Sequence, residues 1–379
     1  MTSYGRQSIA MREIFYAAKV LKSEWLTLGP RVAKFESEIT RVIAAECFVV
    51  SSGTAALHCA YAAIGLKPGD EVIAPPLTFV ATQATAMHFG AKIVFCDVSE
   101  TTGILDPTRV EDLITSKTRA ITVVDYAGHP GPLDELKTIC EKHGIYLIED
   151  AAHSFGSVYK GKPVGSIADL TVFSFFPTKN ITTGEGGAVS SRNPELLDRA
   201  RKFGRQGMVK DPNLFKNIPD GRWHQEVQSL GLNYRLSDIL ASIGSAQIRK
   251  LKSFKRKRKK VFSYYVEHLS GLPNIKLPIS ESFVDPFWHL FPLRIDRLYR
   301  NSLFEELWKH NIFVQVNYVP VYFHPIFEEL GYPEGLCPIA EKYFYEEISL
   351  PMHARLNRRE LKKVVRVIKK FLIEIEPGS

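Results

Sequence analysis

Short apolar runs alternate with helix-length segments between about residues 45 and 190 of the chain. The runs CFVV, EVIA, KIVF, AITVV and YLI are rich in β-branched residues, and each is separated from the next by a segment long enough to form a helix. Continuous apolar strands are typical of a parallel sheet that is covered by helices on both faces. The pattern therefore predicts an α/β domain, in which ligands bind beyond the carboxyl ends of the strands.

The pattern changes after about residue 245. Residues 248–269 have apolar positions at helical spacing, FWHLFPLRI is typical of a strand, and SLFEELWKHNI and ELKKVVRVIKKFLIEI are typical of helices. We therefore predict two domains, a large one over residues 12–245 and a smaller α/β domain over residues 246–379. Residues 1–11 are expected to pack nearby.

The chain has 379 residues and a formal net charge of +8, which favours an anionic ligand such as a phosphorylated molecule. Six consecutive basic residues, Lys255–Lys260, could form a nucleic-acid patch. However, apolar residues recur at helical spacing through this segment, and no aromatic stacking platform accompanies it. We interpret the basic run as the exposed face of an amphipathic helix, and we expect no nucleic-acid partner.

Other features concern the cellular compartment and metals. No apolar run approaches the roughly 18 residues that span a bilayer, and the N-terminus lacks the apolar stretch of a signal peptide. The five cysteines are scattered and form no CxxC pair, as is typical of reduced core thiols. We therefore expect a cytoplasmic protein with no membrane partner. The 11 histidines show no metal-ligand spacing, so no metal site is predicted.

Several motifs of known enzyme classes are incomplete or missing. GSVYKGKP, residues 156–163, nearly matches a P-loop, but Pro163 stands where a metal-binding hydroxyl is needed. No GxGxxG motif follows the first predicted strand, and neither GxSxG nor HExxH occurs. The motifs thus give no support to a nucleoside triphosphatase, a dinucleotide-dependent enzyme, an α/β-hydrolase or a zinc protease.

Residues that could bind a ligand lie at the ends of three predicted strands. Gly53 and Thr54 lie between a strand and an Ala-rich run, where backbone N–H groups at a helix start could hold a phosphate. Taken alone, such residues also occur in ordinary turns. Asp150 ends another strand, where a carboxylate often caps the next helix. Lys179 follows a third strand, and by itself it would be an ordinary surface lysine.

Together these positions match the needs of pyridoxal phosphate (PLP). This cofactor needs a lysine for its Schiff base and a carboxylate for its pyridine nitrogen. A carboxylate beside the ring nitrogen favours the protonated pyridinium by opposite charge. Phe79 could stack on the ring, although an aromatic residue at this point could equally be part of the core. The combination predicts a PLP enzyme.

Several stretches of the chain also carry a resemblance to a known family. They are SEWLTLGPRVAKFESEI, VSSGTAALHCA, PPLTFVATQATA, LIEDAAHSFGS, FSFFPTKNITTGEGGAV, GLNYRLSDILASIGSAQI, YVPVYFHPIF and ISLPMHARL. In these the chain resembles the PLP-dependent sugar-nucleotide aminotransferases. The resemblance implies the aspartate aminotransferase (type I) fold, with a large domain built on a mostly parallel sheet flanked by helices and a smaller C-terminal α/β domain.

The resemblance also implies roles for individual residues. Lys179 would form the Schiff base and shuttle protons, and Asp150 would pair with the pyridine nitrogen. Asn233 would reach the phosphate of the neighbouring subunit, which implies a homodimer with shared active sites. The other residues that would contact the cofactor or its phosphate are Gly53, Thr54, Phe79, His153 and Ser174. Those that would contact the substrate are Tyr318, His324 and Arg235.

The implied reaction transfers an amino group, from L-glutamate, to a keto group of a nucleotide-linked deoxysugar. DYAGHPGPLDEL, DAAHSFGS and WHQEVQSLGLNYR are most similar to enzymes that aminate C4 of a UDP-linked 4-keto-6-deoxy-N-acetylhexosamine. A dTDP-linked, GDP-linked or free keto sugar is an alternative. So are a sugar dehydratase, whose branch has His in place of Lys179, and a non-catalytic regulator. Phe176 stands where many members have His, which leaves the substrate preference open.

Overall fold

The computed structural model describes residues 1–375, which form helices, strands and a few short 3-10 turns. The helices are α1 Met11–Leu21, α2 Pro30–Ile43, α3 Gly53–Ala63, α4 Ala81–Met87, α5 Leu133–His143, α6 Pro194–Gly204, α7 Asp238–Ile248, α8 Leu251–Leu269, α9 Arg297–Lys309, α10 Pro325–Glu329, α11 Pro338–Glu346 and α12 Arg358–Ile375. The strands are β1 Glu46–Val50, β2 Glu71–Ala74, β3 Lys92–Phe95, β4 Thr118–Val124, β5 Tyr146–Asp150, β6 Val158–Tyr159, β7 Lys162–Pro163, β8 Leu170–Ser174, β9 Gly187–Ser191, β10 Met208–Val209, β11 Glu226–Val227, β12 Ile275–Lys276, β13 Val284–Asp285, β14 Phe291–Ile295 and β15 Glu347–Leu350.

The main sheet has seven strands in the order β1-β9-β8-β5-β4-β2-β3. Strand β9 is antiparallel to both of its neighbours, and the other strands run in one common direction. The predicted mostly parallel sheet is therefore confirmed. Because β1, β5 and β8 run the same way, their carboxyl ends at Val50, Asp150 and Ser174 meet at one edge of the sheet.

Helices cover both faces of this sheet, as its continuous apolar strands require. On one face α3 packs against β8, β9 and α6. On the other face α2 packs against β1 and α7, and the rings of Phe35 and Phe175 lie 5.5 Å apart in the core between them. The strands are thus packed between helices on both faces, and this packing fixes the positions of the residues that follow the strands.

A second, smaller sheet forms in the C-terminal part of the chain. It has the antiparallel order β12-β14-β15, and α9 and α11 pack against it, with α12 on α8 and α9. Near the N-terminus Thr2 pairs with Ile312, so the first residues join this part. Residue 246 lies within α7, and the division at 245/246 stays a prediction. Residues 376–379 of the predicted small domain lie outside the described residues.

Both edges of the main sheet contact other groups of the same chain. At the β3 edge, the Tyr332 hydroxyl accepts a hydrogen bond from the Ile93 N–H at 3.1 Å and donates one to the Ile93 carbonyl at 3.0 Å. At the β1 edge, Val50 pairs with Arg235 in an isolated antiparallel bridge. The chain therefore protects its own exposed strand edges, as stable sheet proteins commonly do.

The basic segment forms the predicted helix, α8, but one part of the interpretation is wrong. Phe254, Val261 and Tyr265 are buried as expected, whereas Arg258 is also buried, at 4% exposure, and does not lie on the exposed face. The reason is helical periodicity, since residue 258 falls on the same stripe as residues 254, 261 and 265. Lys255 is half-buried, and the other basic residues of the run are exposed.

Three remaining expectations concern smaller features. The P-loop-like stretch forms a hairpin of β6 and β7, and not the strand–loop–helix unit that binds nucleotide phosphates. All five cysteines are buried and unpaired. Among residues 1–375, no helix is both long and apolar enough to cross a membrane.

Candidate active site

A cavity of about 390 Å³ opens at the carboxyl ends of β1, β5 and β8. This volume lies in the usual range for cofactor and small-ligand sites. The structure brings most of the predicted site residues together around it, namely Gly53, Thr54, Phe79, Asp150, His153, Ser174, Lys179 and Tyr318. Residues that the sequence places as far apart as 53 and 318 therefore share one site.

Lys179 enters the cavity from a turn that follows β8. The strand ends at Ser174, and the Lys179 N–H donates to the Phe176 carbonyl at 3.0 Å, which closes the turn. Burial lowers the pKa of Lys179 to about 8, although the carboxylate of Asp150 opposes this shift. About a tenth of the lysine is therefore uncharged amine at pH 7, the form that acts as a nucleophile or general base.

Asp150 is held in one orientation at the end of β5. Its Oδ2 accepts a hydrogen bond from the Thr82 hydroxyl at 2.8 Å, and its Oδ1 accepts one from the Ala152 N–H at 3.2 Å. Burial raises the pKa of Asp150, whereas these hydrogen bonds and the charge of Lys179 favour the ionised form. A buried carboxylate in this state favours a cationic partner, such as a protonated ring nitrogen.

The start of α3 has the features of a phosphate cradle. Ser52 caps the helix through a hydrogen bond from the Ala55 N–H to its hydroxyl at 3.0 Å. A Cβ atom at Gly53 would lie 2.9 Å from the Ser174 Cβ atom, so the close approach of β8 to this helix needs glycine. Thr54 is exposed to the cavity. Because helix N-termini attract anions, Gly53, Thr54 and Ser174 fit the phosphate of PLP.

Aromatic and imidazole rings line the opposite wall. The Tyr318 hydroxyl lies 3.1 Å from Nε2 of His153, and the His153 ring lies 4.3 Å from the His289 ring. Burial, and next the charge of Lys179, lowers the pKa of His153 well below its ordinary value, so this ring is neutral. Nδ1 of His153 is buried without a hydrogen-bond partner among the described residues. It is thus free to pair with a polar group of a bound ligand.

Three predicted residues do not line this cavity. Asn233 is exposed, Arg235 donates to the Gln206 side-chain oxygen at 3.3 Å, and His324 is exposed at the start of α10. Asn233 does not cap α7, because Ser237 is the capping residue and its hydroxyl accepts from the Leu240 N–H. Asn233 therefore does not line the cavity of its own chain, and its role at a phosphate stays a prediction.

Some lining residues were missed from the sequence. They are Tyr4, Ser52, Thr82, Glu185, His289 and Asn317. Thr82 had a detectable signal, since its hydroxyl lies one helical turn after Phe79 in the stretch that follows β2. Tyr4 had none, because its position depends on a tertiary contact in which the Asn317 side chain donates to the Tyr4 hydroxyl at 2.6 Å.

Comparison with known proteins gives the same result as the geometry. Residues 7–369 match the DegT/DnrJ/EryC1/StrS aminotransferase family. The chain is 35% identical to a UDP-4-amino-4,6-dideoxy-N-acetyl-beta-L-altrosamine transaminase of Campylobacter jejuni, covering 100% of this chain and 99% of the relative. It is 33% identical to a dTDP-3-amino-3,4,6-trideoxy-alpha-D-glucose transaminase of Streptomyces venezuelae, covering 95% and 92%.

A solved structure gives the corresponding match in three dimensions. Helicobacter pylori PseC, an aminotransferase involved in the biosynthesis of pseudoaminic acid, superposes with a TM-score of 0.91 at 29% identity, covering 99% of this chain and 100% of PseC. The predicted aspartate aminotransferase-type fold is thereby confirmed. The chain belongs to the DegT/DnrJ/EryC1/StrS family and is a PLP-dependent aminotransferase that acts on nucleotide-linked sugars.

Proposed function

We propose that this enzyme transfers an amino group from L-glutamate to C4 of a UDP-linked 4-keto-6-deoxy-N-acetylhexosamine. The main support for a transamination is that Lys179 and Asp150 line the same cavity. The UDP-linked substrate is supported by the full-length similarity to the C. jejuni transaminase. The chemical requirement for a keto group follows from the reaction, because the amine must replace a carbonyl oxygen.

Different residues of this chain have different roles in the proposed reaction. PLP, when bound, supplies a protonated pyridine ring that stabilises negative charge at the substrate carbon. Lys179 holds the cofactor and, when displaced by an incoming amine, moves a proton to and from the reacting carbon. Asp150 keeps the ring nitrogen protonated. Gly53, Thr54 and Ser174 bind the phosphate, and this prevents the cofactor from leaving while Lys179 is detached.

We also propose a homodimer in which each active site takes a residue from both subunits. The supporting observation is that large apolar side chains of the segment 207–233 are exposed to solvent. Ile218 is 92% exposed, Trp223 71% and Leu230 93%. Apolar surface of this kind is usually covered by another protein. A second copy that covers it brings Asn233 from outside its own cavity to the phosphate of its neighbour.

A dTDP-linked keto sugar is the competing substrate, favoured by the similarity to the S. venezuelae transaminase. Phe176, which is 44% exposed and lines the cavity, replaces a histidine found in many members of the family. An apolar ring here favours contact with a carbon face of the substrate over a hydrogen bond to a hydroxyl. Phe176 favours neither UDP nor dTDP, and a direct test compares the two nucleotides.

The test measures turnover of purified enzyme on UDP-, dTDP- and GDP-linked keto sugars, each with L-glutamate or L-glutamine, by mass spectrometry of the aminated product. We expect kcat/KM for the UDP-linked 4-keto-6-deoxy sugar with glutamate to exceed the others at least about tenfold, which corresponds to about 1.4 kcal/mol. Preference for the dTDP-linked sugar would overturn the proposed nucleotide. Loss of hydroxyl without amination would indicate a dehydratase, and cofactor binding without any turnover would favour a regulator.

A further inference from the structure

The side chain of Arg258 links three separate segments around the catalytic turn. Its Nη2 donates to the Thr178 carbonyl at 3.1 Å, directly before Lys179. Its Nη1 lies 3.0 Å from the His289 carbonyl and 2.9 Å from the Met352 carbonyl. A third, longer contact of Nη1 reaches the Trp288 carbonyl at 3.4 Å. The guanidinium therefore joins the lysine turn to the segments that precede β14 and follow β15.

This buried charge has no acidic partner. Within residues 1–375, the ion pairs of α8 involve Lys255 and His268, and no carboxylate lies within ion-pair distance of Arg258. Burial lowers the pKa of Arg258 to about 10, which still leaves the group charged at neutral pH. Buried charges are normally paired because an unpaired one is costly. Arg258 is instead solvated by backbone carbonyls, so its positive charge is not cancelled.

The groups that face Lys179 come from several elements. Burial is the main cause that lowers the pKa of Lys179; the negative charge of Asp150 on β5 raises this pKa, and the charge of Arg258 on α8 lowers it further. Burial lowers the pKa of both His153 and His289 well below the ordinary value, so neither ring is charged near neutral pH. Burial also raises the pKa of Tyr318, which stays neutral. Among the described residues, Arg258 is thus the positive charge that opposes Asp150 at the lysine.

We propose that Arg258 is a positioning residue for the catalytic lysine: it fixes the turn that carries Lys179 and places a positive charge that opposes protonation of the lysine nitrogen. The hydrogen bond to Thr178 determines where the lysine side chain starts. The uncancelled charge of the guanidinium limits the attraction of protons by Asp150. This inference rests on the PLP chemistry of the family and does not depend on which sugar is the substrate.

The test compares two variants with a matched control from the same helix. Arg258→Met removes the charge at similar length, and Arg258→Lys keeps the charge but loses the forked geometry. Arg256→Met is the control, because Arg256 is exposed two residues away. Each holoenzyme is titrated without sugar or glutamate, and the pH midpoint of the absorbance change of bound PLP is recorded. The rate of PLP release into buffer is measured in parallel.

We expect Arg258→Met to raise the pH midpoint by about one unit, because the charged state of the lysine nitrogen is no longer opposed. Arg258→Lys should keep the midpoint within about 0.3 unit of wild type but release PLP about tenfold faster, since the Thr178 carbonyl loses an aligned donor. Arg256→Met should change neither quantity. In turnover assays, the pH profile of kcat should shift with the midpoint, whereas KM for the sugar should not change.

Two results would overturn the inference. One is an Arg258→Met midpoint equal to that of Arg256→Met in protein whose circular dichroism shows the native fold. The other is a rate of PLP release from Arg258→Lys equal to that of the wild type, which would reject the positioning role. This second result is the test if Arg258→Met cannot be recovered as folded protein. Both readouts are obtained without sugar, so an incorrect substrate proposal leaves them unaffected.

Discussion

The proposed active site has two sides, the cavity at the sheet and the exposed segment 207–233, and they are built in different ways. On one side, Asp150 and Lys179 follow buried strands, and the chain itself supplies their hydrogen-bond partners. On the other side, the segment 207–233 exposes Ile218, Trp223 and Leu230 and holds Asn233 away from its own cavity. The first side is formed within one chain, whereas in our proposal the second is completed by another copy.

This difference separates two requirements of catalysis. Proton transfer needs groups placed within a few tenths of an ångström, and a buried sheet provides such rigidity. Binding of phosphate and sugar depends more on the number of donors, and a second subunit can add these without disturbing the sheet. We expect variants of the first side to affect turnover most, and variants of the second side to affect affinity and assembly.

The largest expected effect is that of Lys179→Ala on the sheet side. Turnover should fall at least about 1,000-fold, because the variant loses both the covalent link to PLP and the proton carrier. PLP should still bind non-covalently through the cradle at Gly53 and Thr54. Borohydride reduction of the wild type followed by peptide mapping should place the cofactor on Lys179, and a label on another lysine would contradict the assignment.

Asp150→Asn is the next largest. The fold should be retained, because the Asn Oδ1 can still accept from the Ala152 N–H while the Thr82 hydroxyl turns to accept from the Asn Nδ2. Without a negative partner the ring nitrogen loses its proton more easily, and we expect kcat to fall about 100-fold. Thr82→Val provides a graded comparison, since it removes one hydrogen bond and keeps the charge. Single-turnover kinetics that match the wild type in Asp150→Asn would reject the pairing.

A smaller effect is expected from Leu230→Asp on the other side. Burying an exposed Leu at an interface is worth about 2 kcal/mol, so placing a charge there should weaken the dimer at least about thirtyfold. Leu298→Asp is the control, because Leu298 is 77% exposed on α9, outside the segment 207–233. Sedimentation equilibrium compares the two variants, and equal dissociation constants would place the interface elsewhere.

Asn233 connects the two sides, and its loss should weaken PLP binding about tenfold through one charge-assisted hydrogen bond. Mixing Lys179→Ala with Asn233→Asp subunits gives a sharper result. Their heterodimer should contain one site with both defects and one site with neither, so activity should recover toward half of the wild-type value. Heterodimers that form, as shown by native mass spectrometry, and remain inactive would mean that Asn233 serves its own subunit.

The smallest effect concerns Glu347 on β15 of the small sheet, which holds Asn317 of the cavity wall. Oε2 of Glu347 accepts from the Asn317 N–H at 2.8 Å, and burial raises the pKa of Glu347 to about 8 from 4.5. The native state therefore binds more protons than the unfolded chain between these values, so the free energy of unfolding falls as the pH rises from about 4.5 to 8.

Glu347→Gln can keep the hydrogen bond from Asn317 but cannot ionise. It should flatten this pH dependence by about 1 kcal/mol or more between pH 5 and pH 8. Urea unfolding in the Leu230→Asp background at both pH values, at a protein concentration where sedimentation shows it to be monomeric, would measure the change without a contribution from dimer dissociation. Parallel pH profiles for the variants with Glu and Gln at residue 347 would show that Glu347 does not titrate in this range.

The sequence predicts the sheet side better than the other side for a physical reason. Asp150 and Lys179 each follow an apolar run, and the run alone indicates where a parallel strand ends. Arg258 is different, because its burial depends on the helix period and on carbonyls from segments 30 to 94 residues away. Tyr4 and Asn233 are harder still. Their surroundings come from a distant part of the chain and, in our proposal, from another chain.

The closed edges of the main sheet have a consequence for assembly. Tyr332 satisfies both backbone groups of Ile93 on β3, and Arg235 pairs with Val50 on β1. At these positions a newly made subunit offers no free strand to another chain, and the subunit can finish its sheet before it meets a partner. Association should then be a late, side-chain-mediated docking of folded subunits. Such docking is reversible and concentration-dependent, and it keeps crowded nascent chains from joining through their strands.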